Sequence, residues 1–158
     1  MPYLSKQFYF QSGFTIMEIL VVMTIAVLIA SFGLVISMDS YRGNNFRAEQ
    51  DLILSTLFKA RAQAMANINQ QPHGVYLDSG ANQYTLYQGH NYPGRDLSTQ
   101  IIIAGNPDYV LGGTPDITFT QLTGATTVAN ISLDNNIHSI FYVCINSEGQ
   151  INVKDTCP

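Results

Sequence analysis

The stretch from Phe14 to Met38, FTIMEILVVMTIAVLIASFGLVISM, constrains this chain more than any other. It is 25 residues long, and Glu18 is its only ionisable side chain. A helix of that length spans roughly 37 Å at 1.5 Å per residue, enough for a hydrocarbon core of about 30 Å. A membrane-spanning helix is the plain expectation, and it leaves Glu18 unexplained. An acid inside such a segment costs on the order of 2.5–3.5 kcal/mol on insertion scales, and it usually has a partner or a function. Glu18 is the fifth residue after Gly13, at the very start of the apolar run.

At these residues, GFTIMEIL from Gly13 to Leu20, the chain resembles the processing site of type IV pilins and pseudopilins. The motif is specific: a glycine, a phenylalanine, a small polar residue and a glutamate at fixed spacing, heading an apolar helix. The resemblance implies that a prepilin peptidase cuts between Gly13 and Phe14, that the new terminus at Phe14 is N-methylated, and that Glu18 docks the subunit during filament assembly. An ordinary signal anchor is the competing reading. The physical logic agrees with the resemblance. A carboxylate in lipid needs a cation, and the freed amine of Phe14 on a neighbouring subunit supplies one.

Residues Met1 to Gly13, MPYLSKQFYFQSG, then read as a short leader with one basic residue, Lys6. They lack the long apolar core and A-x-A site of a secretory signal, so the anchor stays in the mature protein. Lys6 fits a cytoplasmic leader end by the positive-inside rule, and Tyr3, Phe8, Tyr9 and Phe10 suit interfacial anchoring. Where pilin helices commonly carry a proline, this chain has Val35, with Gly33 two residues before. Gly33 serves either as a mild weak point, since glycine costs about 1 kcal/mol in a helix, or as a small residue for close packing.

The helix is expected to continue beyond Met38. DSYRGNN, Asp39 to Asn45, is polar and holds Gly43, which allows a bend or short break. Phe46, Ile53, Leu57, Ala60, Ala64 and Ile68 then recur at helical spacings, with Arg47, Glu49, Asp51, Lys59 and Arg61 largely between them. That pattern predicts an amphipathic helix, ending around Asn67 to Pro72. From His73 the pattern turns to β. Short runs at Val75–Leu77, Tyr84–Tyr87, Ile101–Ile103, Ile117–Phe119, Ile131–Leu133, Ile137–Val143 and Ile151–Val153 are separated by the turn clusters DSGANQ, NYPGRD, GNPD, GGTPD and DNN. DSGANQ suggests a hairpin, and INSEGQI a closing hairpin around Glu148-Gly149. The expected organisation is a leader at 1–13, a transmembrane helix at 14–38, its amphipathic continuation at 39–71 and a β-rich globular domain at 72–158. The fold class is α+β: a long N-terminal helix packed on a small antiparallel β-sheet domain, pilin-like.

Within the family, FKARAQAMANINQQPHGVYL, FTQLTG (Phe119 to Gly124) and the closing INSEGQINV resemble the GspH/FimT-like minor group. Twelve residues separate Cys144 from Cys157, and a loop of that size can close a disulfide worth about 3 kcal/mol. Two free thiols are the alternative, and the resemblance supports the bridge. The spacing matches no zinc motif.

No catalytic constellation emerges. His73, His90 and His138 are isolated, and no H-E-x-x-H, nucleophile elbow or P-loop is present. Asp108, Asp116 and Asp134 fall in predicted loops, where surface solvation is a better account than calcium binding. No cofactor and no metal is expected. The formal charge is −4, and only Arg95 and Lys154 are basic beyond the helix, so the basic patch that DNA uptake receptors need is missing. The reading is a minor pilin or pseudopilin, a structural subunit of a type II secretion pseudopilus or type IV pilus. Its partners would be other pilin subunits, the prepilin peptidase, the inner-membrane assembly platform and membrane lipid. It would cross the inner membrane once, with its C-terminal domain periplasmic or extracellular. The alternative is a filament-borne binding module, a DNA receptor or adhesin.

Overall fold

The computed structural model describes residues 13–136 and 139–157, and of residues 32–42 the backbone only. The leader through Ser12, the packing of Gly33 and Val35, and His138 lie outside the described residues. The chain divides into two compact units, one through Gly43 and one from Asn44. Helix α1, Ile16–Met65, contributes to both.

In the first unit α1 carries no charged side chain from Ile19 to Ser31. Its large side chains from Ile19 to Ile29 are between 50% (Ile25) and 68% (Ile29) exposed. A helix of that kind needs an apolar surround, and an apolar surface so extended marks an interaction site. Among the described residues no helix is long and apolar enough to cross a membrane. The expected span 14–38 runs past Ser31 into side chains outside the description. The backbone is assigned helical without interruption from Ile16 to Met65, so the short break that DSYRGNN allowed is not formed.

In the second unit α1 presents Ile53, Leu57, Ala60 and Ala64 to the core, each at most 1% exposed. Their spacings of four, three and four put them on one face. Phe46 extends that face by an edge-to-face contact with Tyr109, 5.3 Å between centroids. Two expectations are corrected here. Ile68 is exposed, because α1 ends at Met65 and the helical period ends with it. Asn67 turns into the left-handed region at φ 55°, and a 3-10 turn, Ile68–Gln70, leads to Pro72. Glu49, placed with the polar face, is buried, and its Oε1 accepts a 2.5 Å hydrogen bond from the Tyr84 hydroxyl.

Among the described residues eight strands follow: β1 His73–Asp78, β2 Gln83–Gln88, β3 Ile101–Ala104, β4 Val110–Gly113, β5 Asp116–Phe119, β6 Ala129–Asp134, β7 Ile140–Ile145 and β8 Ile151–Lys154. They form two four-stranded sheets, in the orders β3-β2-β1-β5 and β4-β6-β7-β8. Every pairing is antiparallel. The core joins the apolar face of α1 to Val75, Leu86, Ile117 and Phe119 of the first sheet and Ile131, Leu133, Val143 and Ile145 of the second.

Both expected hairpins form, and their turn chemistry explains them. Between β1 and β2, Asp78 Oδ1 accepts from the amides of Gly80 and Ala81, each at 3.0 Å. Between β7 and β8, Asn146 Oδ1 accepts from Glu148 N at 3.1 Å and Gln150 N at 2.8 Å, with Gly149 at φ 74°. These are side chains mimicking a backbone turn. Gly112 and Gly113, expected in the turn cluster GGTPD, instead close strand β4. Gly112 and Gly113 are there because β4 runs tight against β6: a Cβ at 112 would lie 2.8 Å from Ser132 Oγ, and one at 113 would collide with the Asn130 carbonyl.

Candidate functional site

The head of α1 carries the residues singled out for processing and assembly. Gly13 to Thr15 are outside the helix, which begins at Ile16. Among the described residues nothing lies within 4 Å of where a Cβ on Gly13 would sit, and Phe14 is 78% exposed. Gly13 and Phe14 are thus non-helical and exposed. Thr15 then starts the helix. Its carbonyl accepts from Glu18 N at 3.1 Å and Ile19 N at 3.2 Å, and its hydroxyl accepts from Glu18 N at 3.3 Å.

Thr15 is a functional neighbour the sequence reading overlooked. Thr15-Ile16-Met17-Glu18 is the T-x-x-E pattern of a capping box, and that spacing was the available signal. It places Glu18 in the first turn, where a negative charge is favoured by the helix dipole by about 0.3–1 kcal/mol. Glu18 thus has a local reason to head the helix, separate from any docking role.

The two cysteines are joined. Cys144 on β7 is bonded to Cys157, with 5.5 Å between their Cα atoms. The link ties the segment after β8 back to the neighbouring strand, across the hairpin the two strands form.

The remaining candidates are scattered by the fold. Asp116 is not in a loop: it opens β5. Its Oδ1 accepts from the Tyr87 hydroxyl, and its Oδ2 accepts from Tyr92 N at 3.0 Å. Asp134 closes β6, where its Oδ1 accepts from Asn136 N at 2.8 Å, while Asp108 lies in the turn before Tyr109. Among the described residues no group of three or more His, Cys, Asp or Glu side chains converges on a metal position. His73 is buried on β1 with Nδ1 3.1 Å from the Gln71 carbonyl oxygen, and burial holds its imidazole below the usual histidine range. His90 is exposed. Arg95 is engaged locally: its guanidinium lies 3.7 Å over the Tyr92 ring, Nη1 donates to the Tyr92 carbonyl at 2.8 Å and Nε to Gln100 Oε1 at 2.8 Å.

Two solved structures share this architecture. The type IV minor pilin FimU of Pseudomonas aeruginosa strain PAO1 is 14% identical, with a TM-score of 0.55 over 68% of this chain and 91% of that one. The minor pseudopilin EpsH from the Type 2 Secretion System of Vibrio cholerae is 13% identical, with a TM-score of 0.50 over 68% of this chain and 93% of that one. A scan of protein-family models finds no match to the sequence, and neither does a search of curated proteins. At such identities the likeness is one of fold, and the fold is that of type IV pilins and pseudopilins.

Proposed function

We propose that this chain, with the fold of a type IV pilin, is a minor pilin or pseudopilin: a structural subunit of a type II secretion pseudopilus or a type IV pilus. The observation that carries the reading is the coincidence of that fold with GFTIMEIL at the head of its own first helix. Each is weaker alone. In this reading a prepilin peptidase cuts between Gly13 and Phe14, and the Phe14 amine is methylated. The subunit waits in the inner membrane on its apolar helix with the β domain on the periplasmic side. It enters the filament through the assembly platform, by contacts with other pilin subunits. Glu18 supplies the step that separates pool from filament. Its carboxylate is costly in lipid alone and favourable beside the free amine of a neighbouring Phe14, so the charge pair favours the assembled state. The reading assigns no catalytic residue and no cofactor.

Intact-mass analysis of membrane-extracted protein tests the processing step. The expected species lacks Met1 to Gly13 and carries one methyl group. A chain beginning elsewhere, in a host that holds the peptidase, would contradict it.

A further inference from the structure

We infer that the free edge of β5 is a docking site for an extended peptide segment of another protein, one that carries a basic side chain opposite Asp116. Strand β5 is the outermost strand of its sheet. In an antiparallel pair the amide and carbonyl of one residue face the same neighbour, and successive residues alternate. Leu77 N donates to the Pro115 carbonyl at 2.7 Å, which sets the phase: 115, 117 and 119 face β1, while 116, 118 and 120 face outward. Thr120 has its outward groups filled by the following loop, Thr120 N to the Ala125 carbonyl at 2.7 Å and Gly124 N to the Thr120 carbonyl at 2.9 Å. The outward amide and carbonyl of Thr118 pair with nothing among the described residues.

That open pair borders a groove of about 490 Å³. Asp116, Thr118 and Thr120 line it together with Thr126, Thr127 and His90. The chemistry of the lining decides what fits. A free strand edge with alternate side chains pointing into a groove selects an extended polypeptide, because the main chain supplies the matching donor and acceptor. A sugar would want an open aromatic face. Tyr92, in the segment over this sheet, has both faces covered, by Tyr76 stacked at 3.7 Å and by Arg95 at 3.7 Å. A nucleic acid would want cations, and the lining holds no Lys or Arg. It holds Asp116, fixed by Tyr87 and Tyr92 and facing no Lys or Arg in the groove, so an incoming Lys or Arg is favoured and an acid disfavoured.

The test uses the full chain in detergent micelles and three blocked heptapeptides of alternating threonine and valine, with lysine, threonine or glutamate at the centre. Hydrogen exchange read by mass spectrometry should slow at least tenfold over 115–120 with the lysine peptide, less with the threonine peptide and least with the glutamate one. Alternate backbone N-methylation of the lysine peptide should abolish the protection. Thr118→Pro and Thr118→Val both remove the hydroxyl beside Tyr87, and only proline also removes the outward amide, a loss an edge strand tolerates; the proline variant should weaken binding at least tenfold, whereas Thr118→Val should bind within about threefold of wild type. Protection by none of the three peptides, protection by the N-methylated peptide, or undiminished binding by a folded Thr118→Pro would overturn the proposal.

Discussion

The phenol of Tyr87 occupies the space that a side chain on Gly74 would take. A Cβ built on Gly74 meets the Tyr87 hydroxyl and ring, and it also lies 2.8 Å from the Ile117 carbonyl oxygen. The absence of that one carbon lets the ring lie across β1, so that its hydroxyl reaches Asp116 and sits 2.5 Å from Thr118 Oγ1 on the far strand.

Gly74→Ala should therefore destabilise the fold by about 1–3 kcal/mol, the usual range for overpacking. Tyr87→Phe should cost about 1 kcal/mol by removing hydrogen bonds to the part-buried Asp116 and Thr118. The two are coupled, because removing the hydroxyl removes part of the clash. In urea denaturation of the full chain in micelles, the double variant should cost less than the sum of the singles. Strict additivity would show that the ring and residue 74 do not compete for one space.

Stability should fall on both sides of neutral pH, for different reasons. Burial, then the hydrogen bonds to Glu49 and Asp116, push the Tyr84 and Tyr87 phenols well above the ordinary tyrosine range. A raised pKa in the folded state means full stabilisation below the unfolded value of about 10 and a loss as pH rises beyond it. His73 goes the other way. Burial lowers its pKa, so its contribution is present above about pH 6.5 and lost as pH falls through the lowered value. His73→Gln should flatten the denaturation midpoint between about pH 5 and 7 relative to wild type, and leave the alkaline fall unchanged. An unchanged acid limb would place the titration elsewhere.

The disulfide should be found intact in protein taken from an oxidising compartment. Non-reducing peptide mapping should recover Cys144 and Cys157 in one linked species. Reduction should lower the stability of the β domain by about 3 kcal/mol, the loop-entropy estimate for a closure of this size. Recovery of both thiols as free and alkylatable before reduction would refute the link.

Much of this was legible in the sequence because local chemistry agreed with the fold. The Ile53, Leu57, Ala60, Ala64 stripe fixed the buried face of α1. Asp78 and Asn146 marked two hairpin turns that their own side chains hold together. What was hidden depends on contacts between distant residues. Glu49 looks like a surface acid until Tyr84, 35 residues on, arrives to bond it. Gly112 and Gly113 look like a turn until β6 comes close enough to require them. NYPGRD also reads as a plain turn, yet it brings Tyr92 onto Tyr76 and under Arg95. At the head of α1, GFTIMEIL was plain as a motif, and the capping role of Thr15 was missed although T-x-x-E spells it out.

That capping role sharpens the test of Glu18. Glutamine also serves at the third position of a capping box, so Glu18→Gln preserves the helix start while losing the charge. Glu18→Ala loses the charge and any share the side chain has in the cap, and keeps only the backbone bond from residue 18 N to Thr15 Oγ1. If Glu18 matters only as a helix cap, the glutamine variant should assemble like wild type and the alanine variant should fall behind. If its charge pairs with a neighbouring Phe14 amine, the two variants should fail alike. The deciding measurement is the amount of wild type, Glu18→Gln and Glu18→Ala that co-purifies with sheared filaments, each normalised to its cleaved, membrane-bound pool. A filament subunit docked through Glu18 requires wild type in the filament fraction and at least a tenfold loss of both variants from it, with cleavage and membrane retention unchanged. Equal incorporation of wild type and Glu18→Gln, or absence of the wild type itself from the filament fraction, would contradict it.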